Sequence, residues 1–352
     1  MDDGGQCTDY WAPDSPYQGA LDFEVYQALK ILSIAFINTV EVSAETIPST
    51  SGGATGWTLQ FTGGTHDKYV FPKNITAVPS GRSQRPDTRP TDGYTNHQYF
   101  EATIHDAQLA NPNIEITVTL NPFDGLILNR VFDGVDPTTD EGNAKATNFA
   151  QNVVTFLDHY GINGIDIDWE LCSSGNCIAN QTTAPQFVSL FTAVGEAFHA
   201  KEAEDDSKNY LLTFSPATDA GTFDHSCGPV VNCYFDAVNL QMYASGNPNW
   251  TYSVLGVSED LFVFGARFED PPAGSGDTWD TAQDVVNINT GMYHYPAYMV
   301  WRLNSQNWPY EQGQTLKLHD LVVPNEYGDL NGDGCVNGAD LGILLGAWSI
   351  CP

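Results

Sequence analysis

A chain of 352 residues that is 41% hydrophobic and 12% aromatic can bury a large core, which excludes a disordered protein. Its 44 acidic residues against 13 lysines and arginines give a formal net charge of −31, so nucleic acid and anionic membranes would repel it, and a neutral ligand suits it better. The longest apolar stretch, residues 28–40, is too short and too mixed to span a bilayer.

Seven segments have the apolar composition of buried strands: residues 30–37, 114–122, 162–170, 210–217, 235–244, 260–268 and 297–304. Amphipathic helices lie between them, and the clearest are predicted over residues 143–160 and 184–203. This alternation of strand and helix favours a closed parallel barrel or a doubly wound sheet. An eighth strand would fall near the N-terminus, around residues 7–13.

Residues 49–98 interrupt this alternation. They are rich in Gly, Thr, Ser and Pro and contain the alternating segment WTLQF. The composition predicts an insertion that carries a hairpin.

The segment INGIDIDWE places three carboxylates at every second position of a predicted buried strand. Alternation puts Asp166, Asp168 and Glu170 on one face and turns Trp169 to the other, where the helices pack. We therefore expect Trp169 in the core. Strands of a parallel sheet are normally buried on both faces, so three acids on one face predict a functional site and not a solvated edge.

Several other predicted strands end in polar or aromatic residues. Gln241 and Tyr243 stand near the end of one of them, and Trp301 stands near the end of another. Because the carboxyl ends of barrel strands meet at one face, we expect these side chains near the acids.

These residues resemble the signature of the family 18 glycoside hydrolases, the chitinases and endo-β-N-acetylglucosaminidases. INGIDIDWE is similar to the family's D-G-x-D-x-D-x-E, and four further segments occur in the family's order: SIAFI as second strand, LTFSPAT as fifth, VNLQMYA as sixth and YMVWRLN as eighth. The resemblance implies a (β/α)₈ TIM barrel, an α/β fold, over residues 1–322.

The resemblance also implies roles for individual residues in a retaining, substrate-assisted mechanism that needs no cofactor. Glu170 would be the general acid, Asp168 would position the substrate's acetamido group, Asp166 would share a proton behind it, and Tyr243 would donate its hydroxyl to the acetamido oxygen. Crowded, buried carboxyl groups disfavour simultaneous ionisation, so such a column can store the proton that the leaving sugar requires.

The substrate implied is a glycan that contains N-acetylglucosamine (GlcNAc). Trp301 would form the floor of a sugar subsite, because a flat ring packs on the apolar face of a pyranose. Gln241, Met242 and Phe36 are further candidates for substrate contact, although Phe36 fits the core equally well.

The sequence departs from the family pattern at Asn163, which replaces the first Asp of the signature, and at Ala244, which replaces the last residue of the sixth-strand motif. We expect these changes to affect substrate preference more than chemistry. Three alternatives stay open: hydrolysis of chitin or chito-oligosaccharides, release of N-glycans by an endo-β-N-acetylglucosaminidase, and a non-catalytic chitin-binding lectin.

The C-terminal segment 326–352 has the spacing of an EF-hand-like calcium loop. The predicted Ca²⁺ ligands are Asp329, Asn331, Asp333, Cys335, Asn337 and Asp340. The Asp at the last position resembles the repeat of a dockerin, so we expect a structural calcium and a cohesin-like or cell-surface partner for this repeat.

The cysteines and the N-terminus bear on the cellular compartment. Six of the seven cysteines fall into local pairs, and one is left over: Cys172 with Cys177, Cys227 with Cys233, Cys335 with Cys351, and Cys7 alone. Short loops closed by disulfides are typical of an oxidising compartment, so we expect a secreted protein. The opening MDDGGQ lacks the features of a signal peptide, which predicts a processed or trimmed start.

Overall fold

A computed structural model describes residues 16–42, 55–60, 96–120, 127–169, 183–216, 223–243, 252–268, 281–304 and 307–323. The chain divides into two compact units. One comprises Lys30–Gly265 and Tyr295–Met299, and the other comprises Met1–Leu29, Ala266–His294 and Val300–Pro352. Within the described ranges, no helix combines the length and the apolar character that a bilayer crossing needs.

Eight strands form one sheet: β1 (Ile31–Glu41), β2 (Trp57–Gln60), β3 (Glu115–Leu120), β4 (Gly164–Trp169), β5 (Leu211–Pro216), β6 (Ala237–Leu240), β7 (Phe262–Ala266) and β8 (Ala297–Val300). The seven predicted strands are confirmed, and several end earlier than predicted. Their order in the sheet is β2-β1-β3-β4-β5-β6-β7-β8, and the pairs from β1–β3 to β6–β7 are parallel.

This strand order bears on the choice between a barrel and a doubly wound sheet. A doubly wound sheet reverses its strand order at a switch point, whereas β3 to β8 follow one another in chain order. The arrangement is therefore consistent with a TIM barrel. Among the described strands no pairing of β8 with β1 joins the two ends, and the strand predicted around residues 7–13 lies outside the described residues.

Eight α-helices are described: α1 (Pro16–Asp22), α2 (Asn96–Ala110), α3 (Ile127–Phe132), α4 (Asp140–Tyr160), α5 (Ala184–Glu204), α6 (Gly228–Tyr234), α7 (Ala282–Ile288) and α8 (Trp308–Val322). The two clearest predicted helices are confirmed as α4 and α5. The Thr139 side chain accepts a hydrogen bond from the Gly142 N–H and caps the start of α4. The predicted end at Gly161 is also confirmed, because this residue is left-handed, with φ 62°.

The core behind β4 consists largely of aromatic rings. The Trp169 ring lies 5.5 Å from that of Phe187 and 6.0 Å from that of Phe191, both on α5, and 6.5 Å from that of Phe214 on β5. The prediction that Trp169 belongs to the core is confirmed. At the start of the same strand, a Cβ on Gly164 would stand 2.0 Å from the Leu211 carbonyl oxygen, so only glycine allows β4 and β5 to approach here.

The segment WTLQ of the predicted insertion forms β2, which pairs antiparallel with the end of β1, while the rest of the predicted hairpin lies outside the described residues. Two polar side chains hold this strand pair. Arg130 of α3 donates from Nη1 to the carbonyl oxygen and the hydroxyl of Thr39, at 3.2 and 3.0 Å, and its guanidinium lies 5.4 Å from the centre of the Trp57 ring. Asn152 of α4 donates to the carbonyl oxygens of Thr55 and Trp57, at 3.2 and 2.9 Å. The remainder of the insertion, residues 61–95, lies outside the described residues.

The second unit is organised around α8. Gln312 donates from Nε2 to the carbonyl oxygens of Pro16 and Leu303, at 2.8 and 2.9 Å. Glu311 is fully buried, and its Oε1 lies 3.3 Å from Nε of Arg302. These contacts fasten the segment that follows β8 to the last described helix.

The predicted disulfide between Cys227 and Cys233 is wrong. Both cysteines are free; Cys227 is buried and Cys233 is exposed. They stand on consecutive helical turns, His225–Cys227 and α6, and six residues of helix separate two Cα atoms by about 9 Å, more than a disulfide spans. Burial, the largest cause, raises the pKa of the Cys227 thiol to about 12, so this thiol stays protonated. The other five cysteines lie outside the described residues.

Candidate active site

The two described acids of the column lie on the inner face of β4. Asp166 and Asp168 are each 3% exposed, while Ile165, Ile167 and Trp169 occupy the face that packs on the helices. The alternation predicted from the sequence is therefore present, and the column does not face bulk solvent. Glu170, the predicted general acid, follows β4 directly in the chain and lies outside the described residues.

Strand register surrounds the acids with short polar side chains. Asp166 is paired with Thr119 of β3 on one side and with Thr213 of β5 on the other, and Asp168 is paired with Ser215. Thr119, Thr213 and Ser215 are all buried. Their hydroxyl groups supply hydrogen bonds where no apolar side chain would.

Four side chains hydrogen-bond the carboxyl group of Asp166. The Thr213 hydroxyl donates to Oδ1 at 2.6 Å, the Ser215 hydroxyl lies 3.0 Å from both oxygens, and Asn239 Nδ2 of β6 donates to Oδ1 at 3.3 Å. Thr119 provides the fourth hydrogen bond. Burial raises the pKa of Asp166, and these hydrogen bonds partly oppose the rise.

Thr213, Ser215 and Asn239 were not among the site residues predicted from the sequence. A sequence signal for two of them was present, because Thr213 and Ser215 stand two residues apart in LLTFSP, as the acids do in GIDIDW. The strand register that aligns the two rows, and brings Asn239 beside them, required the structure.

Three predicted residues, Gln241, Met242 and Tyr243, directly follow β6 and are 5%, 7% and 6% exposed. Because β6 runs parallel to β5, and β5 to β4, they stand at the same edge of the sheet as Asp168. The parallel register supports the prediction that these residues lie near the acids, and their contact with the acids stays a prediction.

The other two predicted sugar-contacting residues are Phe36 and Trp301. Phe36 lies on β1 and is partly buried, at the point where the register with β3 shifts between Ala35 and Ile37. Trp301 belongs to the second compact unit, where its backbone N–H donates to the Ala266 carbonyl oxygen at 2.8 Å. Its role as a sugar platform stays a prediction.

Asn163, which departs from the family signature, makes hydrogen bonds to neighbouring backbone. Its side-chain Oδ1 accepts from the Ile116 N–H at 2.8 Å, and its Nδ2 donates to the Asn209 carbonyl oxygen at 3.4 Å. Asn163 therefore links β3 to the residues before β5 at the amino end of β4.

The predicted metal ligands cannot be placed in the fold, since residues 329–340 lie outside the described residues. Within the ranges that the structure does describe, no group of three or more His, Cys, Asp or Glu side chains is arranged to hold a metal ion. The calcium site stays a prediction from sequence.

The described arrangement can hold a proton inside the sheet. A carboxyl group whose pKa is raised by burial keeps its proton at a higher pH than an exposed one, and a second buried carboxyl stands two residues further along the same face.

Comparisons with known proteins agree on one family. The sequence model described as glycosyl hydrolases family 18 matches residues 8–319. No curated protein matches the chain.

Among solved structures, a chitinase-like agglutinin from Robinia pseudoacacia is 11% identical, with a TM-score of 0.52, over 84% of this chain and 96% of the agglutinin. A family 18 N-acetylglucosaminidase from Paenibacillus barengoltzii is 17% identical, with a TM-score of 0.42, over 70% of this chain and 64% of that one. A family 18 chitinase from Cycas revoluta, in complex with (GlcNAc)4, is 13% identical, with a TM-score of 0.45, over 61% and 86% of the two chains.

At 11% identity, the similarity to the agglutinin shows the fold alone. This chain spans slightly less than two thirds of the Paenibacillus barengoltzii structure. The family match, in contrast, extends over most of the sequence and includes both buried acids of β4. The chain therefore belongs to family 18 of the glycosyl hydrolases.

Proposed function

We propose that the protein is a secreted enzyme that hydrolyses β-1,4-linked GlcNAc glycans, chitin or chito-oligosaccharides, with retention of anomeric configuration. One observation carries the proposal: Asp166 and Asp168 are buried on the inner face of β4, immediately before Glu170 in the chain. Each buried charge lowers the stability of the fold, so two buried acids on one strand indicate a catalytic role and not a stabilising one.

The proposed reaction takes place in two steps. Glu170 donates its proton to the glycosidic oxygen while the substrate's acetamido oxygen attacks the anomeric carbon, so the glycosidic bond breaks and an oxazolinium ion forms. Water then attacks the anomeric carbon and gives a proton to Glu170, which reopens the ring. The two inversions leave the anomeric configuration unchanged.

The other site residues support the acetamido group. Asp168 orients the amide and stabilises the positive charge of the oxazolinium ion, and Asp166 exchanges a proton with it. The Tyr243 hydroxyl donates to the acetamido oxygen. Burial of Asp168 and Tyr243 favours these roles, because electrostatic interactions are stronger where water is excluded.

The proposed sugar contacts are Trp301, Gln241, Met242 and Phe36. Gln241 and Met242 are supported by their position beside Tyr243 at the end of β6. Gln241 also leaves room for the second substrate class, N-glycans, since an amide at this position suits several hydroxyl patterns.

A glycan panel tests the proposed function. We expect the wild-type protein to cleave chitohexaose to shorter oligomers whose first-formed anomer is β, as measured by chromatography and time-resolved NMR. Release of glycans from a high-mannose glycoprotein, with chitohexaose untouched, would establish the endoglycosidase instead. Binding of chitohexaose without any cleavage would establish a lectin.

For the C-terminal repeat we propose a structural calcium site that presents the segment to a cohesin-like or cell-surface partner. The oxygen-rich spacing of residues 329–340 supports it. Calorimetric titration should detect one Ca²⁺ per chain, and Asp333→Ala should abolish the heat of binding. Asp320→Ala is the control, since Asp320 is an exposed acid on α8, with 80% of its side chain accessible. Equal calcium binding by the wild type and Asp333→Ala would contradict the site.

A further inference from the structure

The two oxygens of the Asp166 carboxyl group are not equivalent. Three donors converge on Oδ1: the hydroxyl of Thr213 at 2.6 Å, the hydroxyl of Ser215 at 3.0 Å and Nδ2 of Asn239 at 3.3 Å. Oδ2 is approached by the Ser215 hydroxyl, at 3.0 Å. A carboxylate oxygen has about two lone-pair sites, so Oδ1 is saturated by donors.

Asn239 decides how the hydroxyl of Ser215 is oriented. Its Nδ2 lies 3.1 Å from Ser215 Oγ as well as 3.3 Å from Asp166 Oδ1. An amide nitrogen can only donate, so Ser215 accepts from Asn239 and must give its single proton to Asp166. The opposite amide orientation would place the Asn239 oxygen against Oδ1 of the ionised Asp166 carboxylate, which can only accept.

A proton on Oδ1 would conflict with this arrangement, because it would point at the N–H of Asn239 or displace the hydroxyl of Thr213. We propose that Asn239 is a positioning residue that confines the transferable proton of Asp166 to Oδ2. The inference rests on the proposed function, in which that proton is exchanged with Asp168. A proton held on Oδ1 would be withheld from the exchange.

The groups that face Asp166 from its neighbouring strands are uncharged. They are Thr119 on β3, Thr213 and Ser215 on β5, and Asn239 on β6. On its own strand, the other titratable side chain on this face is Asp168, among the residues that the structure describes. The donors therefore supply the stabilisation of the Asp166 anion, in opposition to burial.

Removal of a donor makes the Asp166 anion less stable, so the carboxyl group releases its proton less readily. We expect Asn239→Leu to move the acidic limb of the kcat/KM profile to higher pH by about one unit, since a hydrogen bond to a charged group is worth about that much in pKa. Asn239→Asp should lower kcat about tenfold or more with little change in KM, because its carboxyl group can share a proton with Oδ1.

Two further variants keep the test independent of folding. Thr213→Val removes another donor from Oδ1 and should shift the profile in the same direction, and Thr213→Ser should restore it. The matched control is Thr117→Val on the same inner face, where the hydroxyl pairs with that of Ser33 at 2.7 Å. We expect this control to leave the pH profile in place.

A second measurement does not depend on catalysis. The folded-state pKa of Asp166 is above the unfolded value of 3.8, so the folded protein loses stability as pH rises from about 4 through the folded pKa. A variant that raises this pKa further loses more stability at pH 7 than at pH 4, as urea denaturation at both values would measure. The cost of Thr117→Val should be the same at both.

The two measurements separate the inference from the proposed function. If the cost of Asn239→Leu grows with pH while the wild type hydrolyses no glycan, the proton is positioned as inferred and the proposed reaction is wrong. Suppose instead that the wild type is active, but that Asn239→Leu and Thr213→Val behave like Thr117→Val. If their loss in free energy of unfolding does not change with pH and their kcat/KM profile does not shift, the positioning role is wrong.

Discussion

Replacement of Glu170 by glutamine is expected to lower the turnover number on chitohexaose by about 10²–10⁴-fold while the oligosaccharide still binds. A glycosidic oxygen leaves as an alcohol only if a proton reaches it as the bond breaks. Glutamine has nearly the shape of glutamate but carries no proton that it can release near neutral pH. Initial rates by chromatography and the dissociation constant by calorimetry measure the two effects separately.

Asp236→Asn is a matched control for this experiment. Asp236 is also a carboxylate beside a strand, but its Oδ2 accepts from the Leu212 N–H in a purely structural contact. We expect Asp236→Asn to keep its turnover number within a few-fold of wild type. Unchanged turnover in Glu170→Gln would show that Glu170 is not the general acid. A wild type that binds chitohexaose as well as the variant does, but does not hydrolyse it, would favour the lectin.

The second large effect is expected at Glu311. Glu311→Ala should lower the free energy of unfolding by about 3–5 kcal/mol, because it leaves the Arg302 guanidinium, only 17% exposed, without its buried counter-ion. Glu311 also lies in the first turn of α8, where the helix dipole favours a negative charge. Urea denaturation followed by far-ultraviolet circular dichroism measures the change.

An exposed pair in the same chain provides the comparison. Lys201 and Glu204 on α5 lie 3.0 Å apart, but their side chains are 44% and 68% exposed. We expect Glu204→Ala to cost less than about 1 kcal/mol. The double replacement Arg302→Met with Glu311→Leu should recover much of the loss, since apolar side chains of similar volume can replace a buried ion pair. Equal costs for Glu311→Ala and Glu204→Ala would show that burial does not strengthen this pair.

Much of the fold could be predicted because local signals agreed with the final structure. Runs of apolar and β-branched residues predicted seven of the eight described strands, and the glycine at position 161 predicted the end of α4. The strongest signal was GIDIDW, since period-two alternation of acids in an apolar strand admits few explanations. Burial of Asp166 and Asp168 followed from that pattern together with the alternation of strand and helix, which indicated a parallel sheet buried on both faces.

The features that could not be predicted depend on which residues meet across the fold. Asn239 reaches Asp166 over 73 residues of chain, and no local pattern records that contact. Proximity in sequence also misled, because Cys227 and Cys233 are neighbours in the chain but are held apart by helix geometry. The ion pair of Arg302 and Glu311 likewise joins a residue that follows β8 to one in α8, and no local pattern records it.

The aromatic rings packed behind β4 help to determine where the acids stand, although these rings do not contact the sugar. Phe187 contacts the Trp169 ring on one face of the strand whose other face carries Asp168. Folding tolerates a swap of similar volume at such a position for less than about 1.5 kcal/mol, but a displacement of about 1 Å at the reacting atoms can slow an enzyme about a hundredfold. Laboratory evolution that samples only cleft-lining positions would therefore overlook core residues that influence the catalytic rate. Improvements and losses can both arise from substitutions on the opposite side of the strand.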